Sequence, residues 1–328
     1  MGTGKNAKNF IVAIDQEKIE PDIAKETVIK YDPLNRSGKE GGFYLTDEGE
    51  LHIDNDQVME AHKMAINKYP YDGAIQLIRL DREFGEKIHQ FGENSFRLYG
   101  LPAPQEGRVV GILGRNGIGK STALKILSGQ IKPNLGNFDK EPEWKKIMEK
   151  YRGTELQNHF NKLSEGEVDA AFKPQQVDKI PKFHDGKVRD LLKENDERDK
   201  LEDIAEKLDI DKLLEREMEE LSGGELQRVA IATTLLKDAT LYVIDEPSSF
   251  LDVKQRLNTA QIVSNLGEEK QVLVVEHDLA TLDLVSSSTH VFHGEPGGYG
   301  MVSNSFSTRQ GINQYLDGYL QSHNLRIR

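Results

Sequence analysis

The stretch GRNGIGKS at residues 114–121 decides the fold that we predict for this chain. Glycines such as Gly117 and Gly119 let backbone N–H groups turn inward around phosphate oxygens. In a loop of this kind, Lys120 reaches the β- and γ-phosphates of a nucleotide, and the Ser121 hydroxyl binds Mg²⁺. The predicted nucleotide-binding residues of the loop are Gly114, Asn116, Gly117, Gly119, Lys120, Ser121 and Thr122.

The segments around this loop alternate between strand and helix patterns. Residues 108–113 are an apolar run that predicts a strand entering the loop, and 121–129 predicts a helix whose N-terminus faces the same anion. Further strands are predicted at 241–244 and 272–275, with a helix at 253–266 between them. This alternation favours an α/β fold with a mainly parallel, buried sheet.

Acidic and histidine side chains follow two of the predicted strands. Asp245 is expected to hold magnesium, and Glu246 to polarise the water that attacks the terminal phosphate. An acidic pair at a strand end can instead cap the next helix, but its place downstream of a glycine loop favours the catalytic interpretation. His277 follows the next apolar strand, so we expect it at the same sheet edge as Glu246, within reach of the γ-phosphate.

The segment LSGGELQR at residues 221–228 separates this chain from most other proteins with a glycine loop. Ser222, Gly223 and Gly224 would expose backbone donors at a helix start. The same letters also fit an ordinary capped helix, with Ser222 as N-cap and Glu225 at the third helical position. Both interpretations hold together, because a capped helix N-terminus is also an anion site.

These motifs, in this order, resemble those of the ABC ATPases. The resemblance implies that Ser222, Gly223, Gly224 and Glu225 contact ATP held on an opposing nucleotide domain. It also implies that Asp252 lies at the seam between two such domains. Gln175 in KPQQVD would contact Mg²⁺ and the attacking water, and His277 in VVEHD would contact the γ-phosphate. The metal-site residues implied are Ser121, Gln175 and Asp245.

Adenine binding requires a flat side chain upstream of the glycine loop, where ABC domains keep a stacking aromatic residue. Phe91 and Phe96 both lie in this region. Either ring could stack on adenine, or both could be core residues. We keep both as candidates for the base site.

At the level of the family, the chain resembles the first half of the ribosome-recycling ABC ATPases, also called RNase L inhibitors. The resemblance begins near Phe96 and includes YRGTELQNHF from Tyr151, KPQQVDKIPK, DEPSSFLDVKQRL and FSTRQGINQYLDGY. In that family the YRGTELQNHF segment belongs to a helix-loop-helix insertion that contacts the small ribosomal subunit. The resemblance therefore implies ATP and Mg²⁺ as ligands and the ribosome as a partner.

The N-terminal region departs from the family pattern. The family carries a ferredoxin-like module with iron–sulfur clusters on cysteine ligands, and this chain has no cysteine. Since such clusters need thiolates, we predict a module without a cluster and with a repacked core. The positions that align with the cysteines are Ile19, Ala24, Val28, Asp32, Met59, His62, Ala65 and Tyr69.

The composition excludes several classes of protein. The formal net charge of −12 does not favour nonspecific nucleic-acid binding through a basic surface. No apolar run approaches the ~20 residues that a membrane helix needs, and the polar N-terminus is not a secretory signal. We therefore expect a cytoplasmic protein without a membrane partner.

We predict three regions: a ferredoxin-like α+β module at 1–85, an ABC nucleotide-binding domain at 86–298 with the insertion at about 141–171, and a hinge-like tail at 299–328. The nucleotide domain should combine the sheet with a helical subdomain. The family's second nucleotide domain is absent from this chain, so we expect homodimerisation or a separate subunit to supply it, unless the sequence is a truncated gene product. The predicted function is ATP hydrolysis coupled to ribosome splitting, recycling or initiation. The alternatives are a regulatory or partner-dependent ABC subunit and the ATPase subunit of a membrane transporter.

Overall fold

The computed structural model of this chain describes residues 10–19, 22–80, 85–173 and 175–327. Pro174 of the KPQQVD segment lies outside the described residues, as does the stretch before the predicted module boundary at residue 85. The helices are α1 (Asp22–Tyr31), α2 (Pro33–Arg36), α3 (Lys63–Ile66), α4 (Lys120–Leu127), α5 (Trp144–Lys150), α6 (Glu155–Glu165), α7 (Val188–Glu194), α8 (Leu201–Lys207), α9 (Gly223–Leu236), α10 (Val253–Gly267), α11 (Leu279–Val285) and α12 (Thr308–Asp317).

The strands belong to one large sheet and three small pairs. They are β1 (Phe10–Ile14), β2 (Tyr44–Leu45), β3 (Leu51–His52), β4 (Ile75–Arg79), β5 (His89–Gln90), β6 (Arg97–Tyr99), β7 (Val109–Leu113), β8 (Ala170–Lys173), β9 (Leu241–Asp245), β10 (Gln271–Val275), β11 (Ser288–Glu295), β12 (Tyr299–Val302), β13 (Phe306–Ser307), β14 (Tyr319–Leu320) and β15 (Leu325–Arg326).

Within the described residues, the large sheet has nine strands in the order β5-β6-β12-β11-β7-β10-β9-β8, with β13 paired to β11. From β11 to β8 all neighbours run parallel, whereas β12 and β13 pair with β11 antiparallel. The predicted α/β class is confirmed, and the parallel part of the sheet is the part that carries the motifs. The strand β12 begins at residue 299, so the region predicted as a hinge-like tail contributes a strand to this sheet.

Alternate residues of the central strands point into two separate cores. In β9, Leu241 and Val243 pack into one cluster, and Tyr242 and Ile244 pack into the other. The first cluster includes the apolar faces of α4, α5 and α6, and the second includes those of α7, α8, α9 and α10. Because both faces are covered, the central strands are apolar throughout, as is typical of parallel sheets.

The register of the sheet brings the motif-bearing strand ends to one edge. Val275 of β10 pairs with Asp245 of β9 on one side and with Ile112 of β7 on the other. The residues that follow these strands are therefore neighbours in space. The same register places Lys173, at the end of β8, beside Ile244.

The N-terminal module consists of the antiparallel pairs β1–β4 and β2–β3 with the helices α1, α2 and α3. Its ferredoxin-like character stays a prediction. The module is joined to the large sheet's domain by hydrogen bonds at Asn94, whose backbone carbonyl accepts from Ile14 N at 2.8 Å. The Asn94 side chain also exchanges two hydrogen bonds with the backbone of Ile53, each 3.0 Å long.

The predicted insertion is a helix-loop-helix formed by α5 and α6. Its inner side is anchored in the sheet's core by Ile147, Tyr151, Leu156 and Phe160, all buried. The Tyr151 and Phe160 rings stack with centroids 4.8 Å apart. The segment that follows, predicted as helical to about residue 171, turns into β8 from Ala170. Within the described residues, no helix is long and apolar enough to span a bilayer.

Candidate functional site

The glycine loop connects β7 to α4 and wraps around the amine of Lys120. The Lys120 Nζ donates to the carbonyl oxygens of Gly114 and Arg115 at 2.8 Å each, and lies 3.3 Å from Asn116 Oδ1. Gly119 has φ of +88°, and a Cβ there would lie 2.5 Å from the Phe96 ring, so the close approach requires glycine. The loop thereby presents backbone N–H groups and one cation at a helix start, the arrangement that binds phosphate.

At Lys120 and at Asp245, burial shifts the pKa in one direction and neighbouring opposite charges shift it in the other. Burial lowers the pKa of Lys120, and the carboxylates of Asp245 and Glu246 partly counteract this shift. Burial raises the pKa of Asp245, and the neighbouring Glu246 raises it further, whereas Lys173 and Lys120 lower it. A divalent cation beside Asp245 would favour its charged form, so this acid is suited to metal binding.

The three predicted catalytic residues meet at one carboxylate. Gln175 Nε2 donates to Glu246 Oε1 at 3.1 Å, and His277 Nε2 lies 3.6 Å from the same oxygen. Ser249 donates its hydroxyl to Glu246 Oε2 at 3.0 Å. Gln175 and His277 come from loops after different strands, and the sheet register brings both to Glu246. The catalytic roles of these residues stay a prediction, but their proximity is a feature of the fold.

Sequence reasoning missed two buried donors that hold the backbone around Glu246. Lys173 Nζ donates to the Asp245 carbonyl at 2.6 Å, and Gln227 Nε2 donates to the Glu246 and Pro247 carbonyls at 2.7 and 3.1 Å. Burial lowers the pKa of Lys173 to about 8, although nearby carboxylates oppose the shift. Lys173 is the first residue of KPQQVD, and Gln227 lies within LSGGELQR. Their positions inside these motifs were the only sequence feature that could have pointed to their contacts with the turn.

A cleft of about 720 Å³ opens at this edge of the sheet. It is lined by the phosphate loop, Gln175, Asp245, Glu246 and His277, and by both predicted aromatic residues. The N-terminal module forms one wall through Asp15, Lys18 and Gln76, a contribution that the sequence did not indicate. The volume lies within the range of about 300–1,000 Å³ that is typical of small-molecule sites.

The two aromatic candidates differ in their surroundings. Phe91 is 55% exposed, and its ring makes an edge contact with His89 at a centroid distance of 4.6 Å. Phe96 is half-buried and packs against Gly119 and the core of the sheet. Phe91 therefore offers a free ring face for a base, whereas Phe96 supports the phosphate loop from behind.

The predicted signature residues lie away from this cleft. Ser222 caps α9, and the capping box closes as Ser222 N donates to Glu225 Oε2 at 2.8 Å. The Ser222 hydroxyl donates to the same oxygen at 2.7 Å, and these hydrogen bonds lower the pKa of Glu225. Asp252 caps α10 by accepting from Gln255 N at 2.9 Å. The described part of the chain thus has Ser222 and Asp252 exposed at helix starts, outside the cleft that holds Lys120.

Four of the eight cysteine-equivalent positions belong to an apolar core. Ala24, Val28, Ala65 and Tyr69 are buried in one cluster with Phe43, Leu51 and Ile53. The remaining buried positions hold Asp32 and His62, whose Oδ2 and Nε2 atoms lie 3.4 Å apart. Asp32 also accepts from the backbone N–H groups of Leu34, Asn35 and Phe43, which ties its carboxylate to local structure.

The donor groups fit ATP and Mg²⁺ but not an iron–sulfur cluster. The cleft edge combines a hydroxyl at Ser121, a carboxylate at Asp245 and an amide oxygen at Gln175, which are the oxygen ligands that Mg²⁺ prefers. Cluster iron requires thiolates, and the module's equivalent positions are apolar or already hydrogen-bonded. Among the described residues, no group of three or more His, Asp or Glu side chains could hold a metal ion.

Comparison with known proteins agrees with this geometry. The sequence pattern of the ABC transporter family matches residues 104–249. The translation initiation factor RLI1 of Saccharomyces cerevisiae is 43% identical over 332 residues, covering 99% of this chain and 54% of that protein. The ABCE1 chain in a structure titled as ribosome-bound archaeal Pelota and ABCE1 superposes with a TM-score of 0.91 at 44% identity, covering 98% of this chain and 54% of that one. A structure of an RNase-L inhibitor gives a TM-score of 0.70 at 54% identity, covering 74% and 47%.

The phosphate loop, the acidic pair at the end of β9 and the capped signature helix define a nucleotide-binding domain of the ABC class. Similarity extends through the N-terminal module and the insertion, beyond the part common to all ABC domains. Over nearly its whole length the chain is homologous to the RNase L inhibitors and to ABC proteins of family E. It spans about half the length of the curated relatives that it matches.

Proposed function

We propose that this protein binds and hydrolyses ATP and uses the cycle to act on the ribosome in the cytoplasm. The observation that carries the proposal is the meeting of Gln175, Glu246 and His277 beside the phosphate loop. Similarity over nearly the whole chain to a translation initiation factor and to a ribosome-bound ABCE1 supports the ribosome as partner. The work on the ribosome would be subunit splitting and recycling, or a role in initiation.

The residues of the cleft divide the chemical work. Lys120 and the backbone N–H groups of the loop neutralise the β- and γ-phosphates, and Glu246 orients and deprotonates the attacking water. His277 hydrogen-bonds the γ-phosphate, and Gln175 connects Glu246 to the helical subdomain. Mg²⁺, held by Ser121, Asp245 and Gln175, would neutralise charge that develops on the phosphates.

The proposed active site is completed by a second nucleotide domain. Ser222, Gly223 and Asp252 are exposed outside their own cleft, where they can reach a nucleotide bound to an opposing domain. Exposed apolar side chains lie next to them: Phe250 is 71% exposed and Val253 is 75% exposed. A second nucleotide domain would cover these side chains and place each signature over the other domain's ATP.

The helix-loop-helix insertion is the proposed contact with the small ribosomal subunit. Its inner face is fixed to the sheet's core, which leaves Lys145, Lys146 and Arg152 exposed on the outer side. These cations suit the phosphates of ribosomal RNA, to which binding is electrostatic and depends on salt. The acidic remainder of the surface would limit nonspecific binding.

Two other functions fit parts of the chain less well. An ATPase subunit of a membrane transporter would share the cleft, but it would not require an insertion of this kind. A regulatory protein without turnover would not need the Gln175, His277 and Ser249 contacts that orient Glu246. The ribosome-acting ATPase accounts for both the cleft and the insertion.

Co-sedimentation with small ribosomal subunits tests the proposal. Protein carrying Glu246→Gln should bind ATP, remain closed and sediment with the subunits only when ATP is present. A solution mass twice that of the chain in the same sample would identify a homodimer. Binding only after cell extract is added would instead identify a separate subunit as the source of the second domain.

Two variants separate the parts of this proposal. Lys120→Ala should weaken nucleotide binding by about a hundredfold and should weaken ATP-dependent sedimentation with it. The triple change Lys145→Ala, Lys146→Ala and Arg152→Ala should weaken sedimentation while ATP hydrolysis stays unchanged. Absence of ATP-dependent sedimentation under every condition, with hydrolysis intact, would contradict the ribosomal role and leave the ATPase assignment standing.

A further inference from the structure

The backbone at Glu246 adopts a conformation that its residue type does not favour. Glu246 has φ of +47°, in the left-handed region where side chains other than glycine are uncommon. The residue is followed by Pro247, which has no N–H to donate and restricts the preceding backbone. Such a conformation persists only where the surrounding structure holds it, and it is frequent at functional sites.

Three successive carbonyl groups of this turn accept hydrogen bonds from two buried side chains. Lys173 Nζ donates to Asp245 O at 2.6 Å and lies 3.5 Å from Glu246 O. Gln227 Nε2 donates to Glu246 O at 2.7 Å and to Pro247 O at 3.1 Å. The backbone N–H of Glu246 donates to Val275 O at 2.8 Å. The turn is therefore fixed on both sides, and the Glu246 side chain projects into the cleft.

The Gln227 amide nitrogen donates to the turn although the amide oxygen of the same side chain is left without a hydrogen bond among the described residues. Gln227 is fully buried, and its Oε1 atom has no hydrogen-bond partner in the described part of the chain. An unpaired buried acceptor costs free energy, whereas an apolar side chain of similar size would avoid that cost. Both amide hydrogens point at carbonyl oxygens of the turn, so the amide nitrogen is the atom that the site requires.

Gln227 also lies one turn into α9, the helix that begins at the signature. The next residue, Arg228, fixes the helix to the helical subdomain by donating to Leu208 O at 2.9 Å and Asp209 O at 2.6 Å. The same helix therefore carries Ser222, which would serve the partner's nucleotide, and Gln227, which holds the turn of its own domain's Glu246. A shift of this helix would act on the Glu246 backbone directly.

We infer that Gln227 is a positioning residue for Glu246, and that it links the signature helix of each domain to that domain's own general base. The inference rests on the proposed ATPase function for its catalytic consequence. Its structural part, the control of the turn by the Gln227 amide, stands on contacts within the chain. Lys173 holds the other side of the turn and lies two residues before Gln175.

The direct test replaces the amide with an apolar side chain of the same length, Gln227→Met. We expect kcat for ATP hydrolysis to fall by about ten- to a hundredfold while KM changes by less than about threefold, because ATP contacts are intact. Thr233→Val is the matched control: it removes a side-chain hydrogen bond within the same helix, to Val229 O at 2.9 Å, and not one to the 245–247 turn. Equal losses of kcat in the two variants would overturn the inference.

A double variant distinguishes positioning from general loss of structure. If Gln227 acts through Glu246, adding Gln227→Met to Glu246→Gln should change the residual rate by less than about threefold. Independent effects that multiply would show that Gln227 acts by another route. Gln227→Asn, which withdraws the amide by one methylene, should reproduce the kcat loss if the methionine variant does not fold.

Hydrogen exchange gives a readout that does not need turnover. In Gln227→Met, peptides covering residues 244–250 should exchange faster than in the original protein, whereas Thr233→Val should leave them unchanged. A nonhydrolysable ATP analogue should protect the phosphate-loop peptide in both variants. A protein that binds ATP but hydrolyses none would refute the proposed function, and unchanged exchange at 244–250 would refute the role of Gln227.

Discussion

In the nucleotide cleft, polar side chains such as Lys120, Gln175 and Glu246 are gathered at one sheet edge and aimed at an open volume. In the N-terminal module, the positions predicted to correspond to cluster cysteines include Val28, Ala65 and other buried apolar residues. Both regions belong to one chain. One region gathers polar groups around an open cleft, and the other buries mainly apolar groups that pack against one another.

The difference shows that the two regions are under separate constraints. The module has kept a closed core and its contacts at Asn94, and it forms one wall of the cleft through Asp15, Lys18 and Gln76. Its contribution to the cleft is therefore to shape and position. Changes in the cleft should alter activity without altering stability, and changes in the module's core should do the opposite.

The largest expected effect is the loss of the general base. Glu246→Gln keeps the size of the side chain but cannot accept a proton, so hydrolysis should fall by about a hundred- to a thousandfold. The free energy of unfolding should change by less than about 0.5 kcal/mol, since the side chain packs against no core. Steady-state phosphate release and urea unfolding measure the two quantities. Glu268→Gln, an exposed change after α10, is the control, and normal turnover by the Glu246 variant would refute the assignment.

The loss of the loop cation should come next. Lys120→Ala removes the ammonium group that the loop carbonyls hold, and ATP affinity should fall by about a hundredfold, because the amine contributes both charge and hydrogen bonds. Equilibrium binding of a fluorescent ATP analogue measures the effect. Lys125→Ala, on the exposed face of the same helix, should bind as the original protein does, and similar losses in both variants would refute a specific role for Lys120.

The sequence predicted the cleft better than it predicted the surrounding sheet. Motifs fixed the ends of β7, β9 and β10, because glycine, acidic and histidine residues stand directly after apolar runs. The strands β11 and β12 were missed, since they lie in a stretch whose polar residues, such as His290 and His293, are buried. Buried polar residues of this kind are stabilised by contacts with residues distant in sequence. The local alternation of apolar and polar residues does not show such contacts.

The same limit applies to the site itself. Glu246, Gln175 and His277 could be named from motifs, but Lys173 and Gln227 act through backbone carbonyls that only the folded turn brings within reach. The wall formed by Asp15 and Lys18 depends on how the module packs, and no pattern within the module indicates it. Residues proposed to contact the ligand can be recognised from sequence motifs. Residues that hold the turn or form the outer wall of the cleft cannot be recognised in this way.

A substitution in the module's core should affect stability and leave the cleft intact. Val28→Asp would place an unpaired carboxylate in an apolar core where Val28 is fully buried, and the free energy of unfolding should fall by about 3 kcal/mol or more. Urea denaturation measures this loss. Ile23→Asp, on the same helix at a side chain that is 79% exposed, should change it by less than about 0.5 kcal/mol.

The Val28→Asp experiment assumes that the module's core holds no metal cluster. Metal analysis of the original protein tests this assumption. The purified protein should contain no stoichiometric iron, since its core positions hold no thiolate. Iron at one or more atoms per chain would show that the module still holds a metal group.

An equal loss of stability in the Val28 and Ile23 variants would show that α1 packs differently from the structure.

The smallest effect concerns the base site and compares two rings within the cleft. Phe91→Ala should weaken ATP binding by about three- to tenfold, because an exposed ring that stacks on adenine contributes about 0.5–1.5 kcal/mol. Stability should change little, since the ring is 55% exposed. Phe96→Ala should instead lower the free energy of unfolding, because that ring packs behind Gly119. Binding of ATP and of inorganic triphosphate separates the two: the Phe91 variant should lose affinity for ATP alone. Equal loss for both ligands would place Phe91 with the phosphate loop and leave Phe96 as the candidate for adenine.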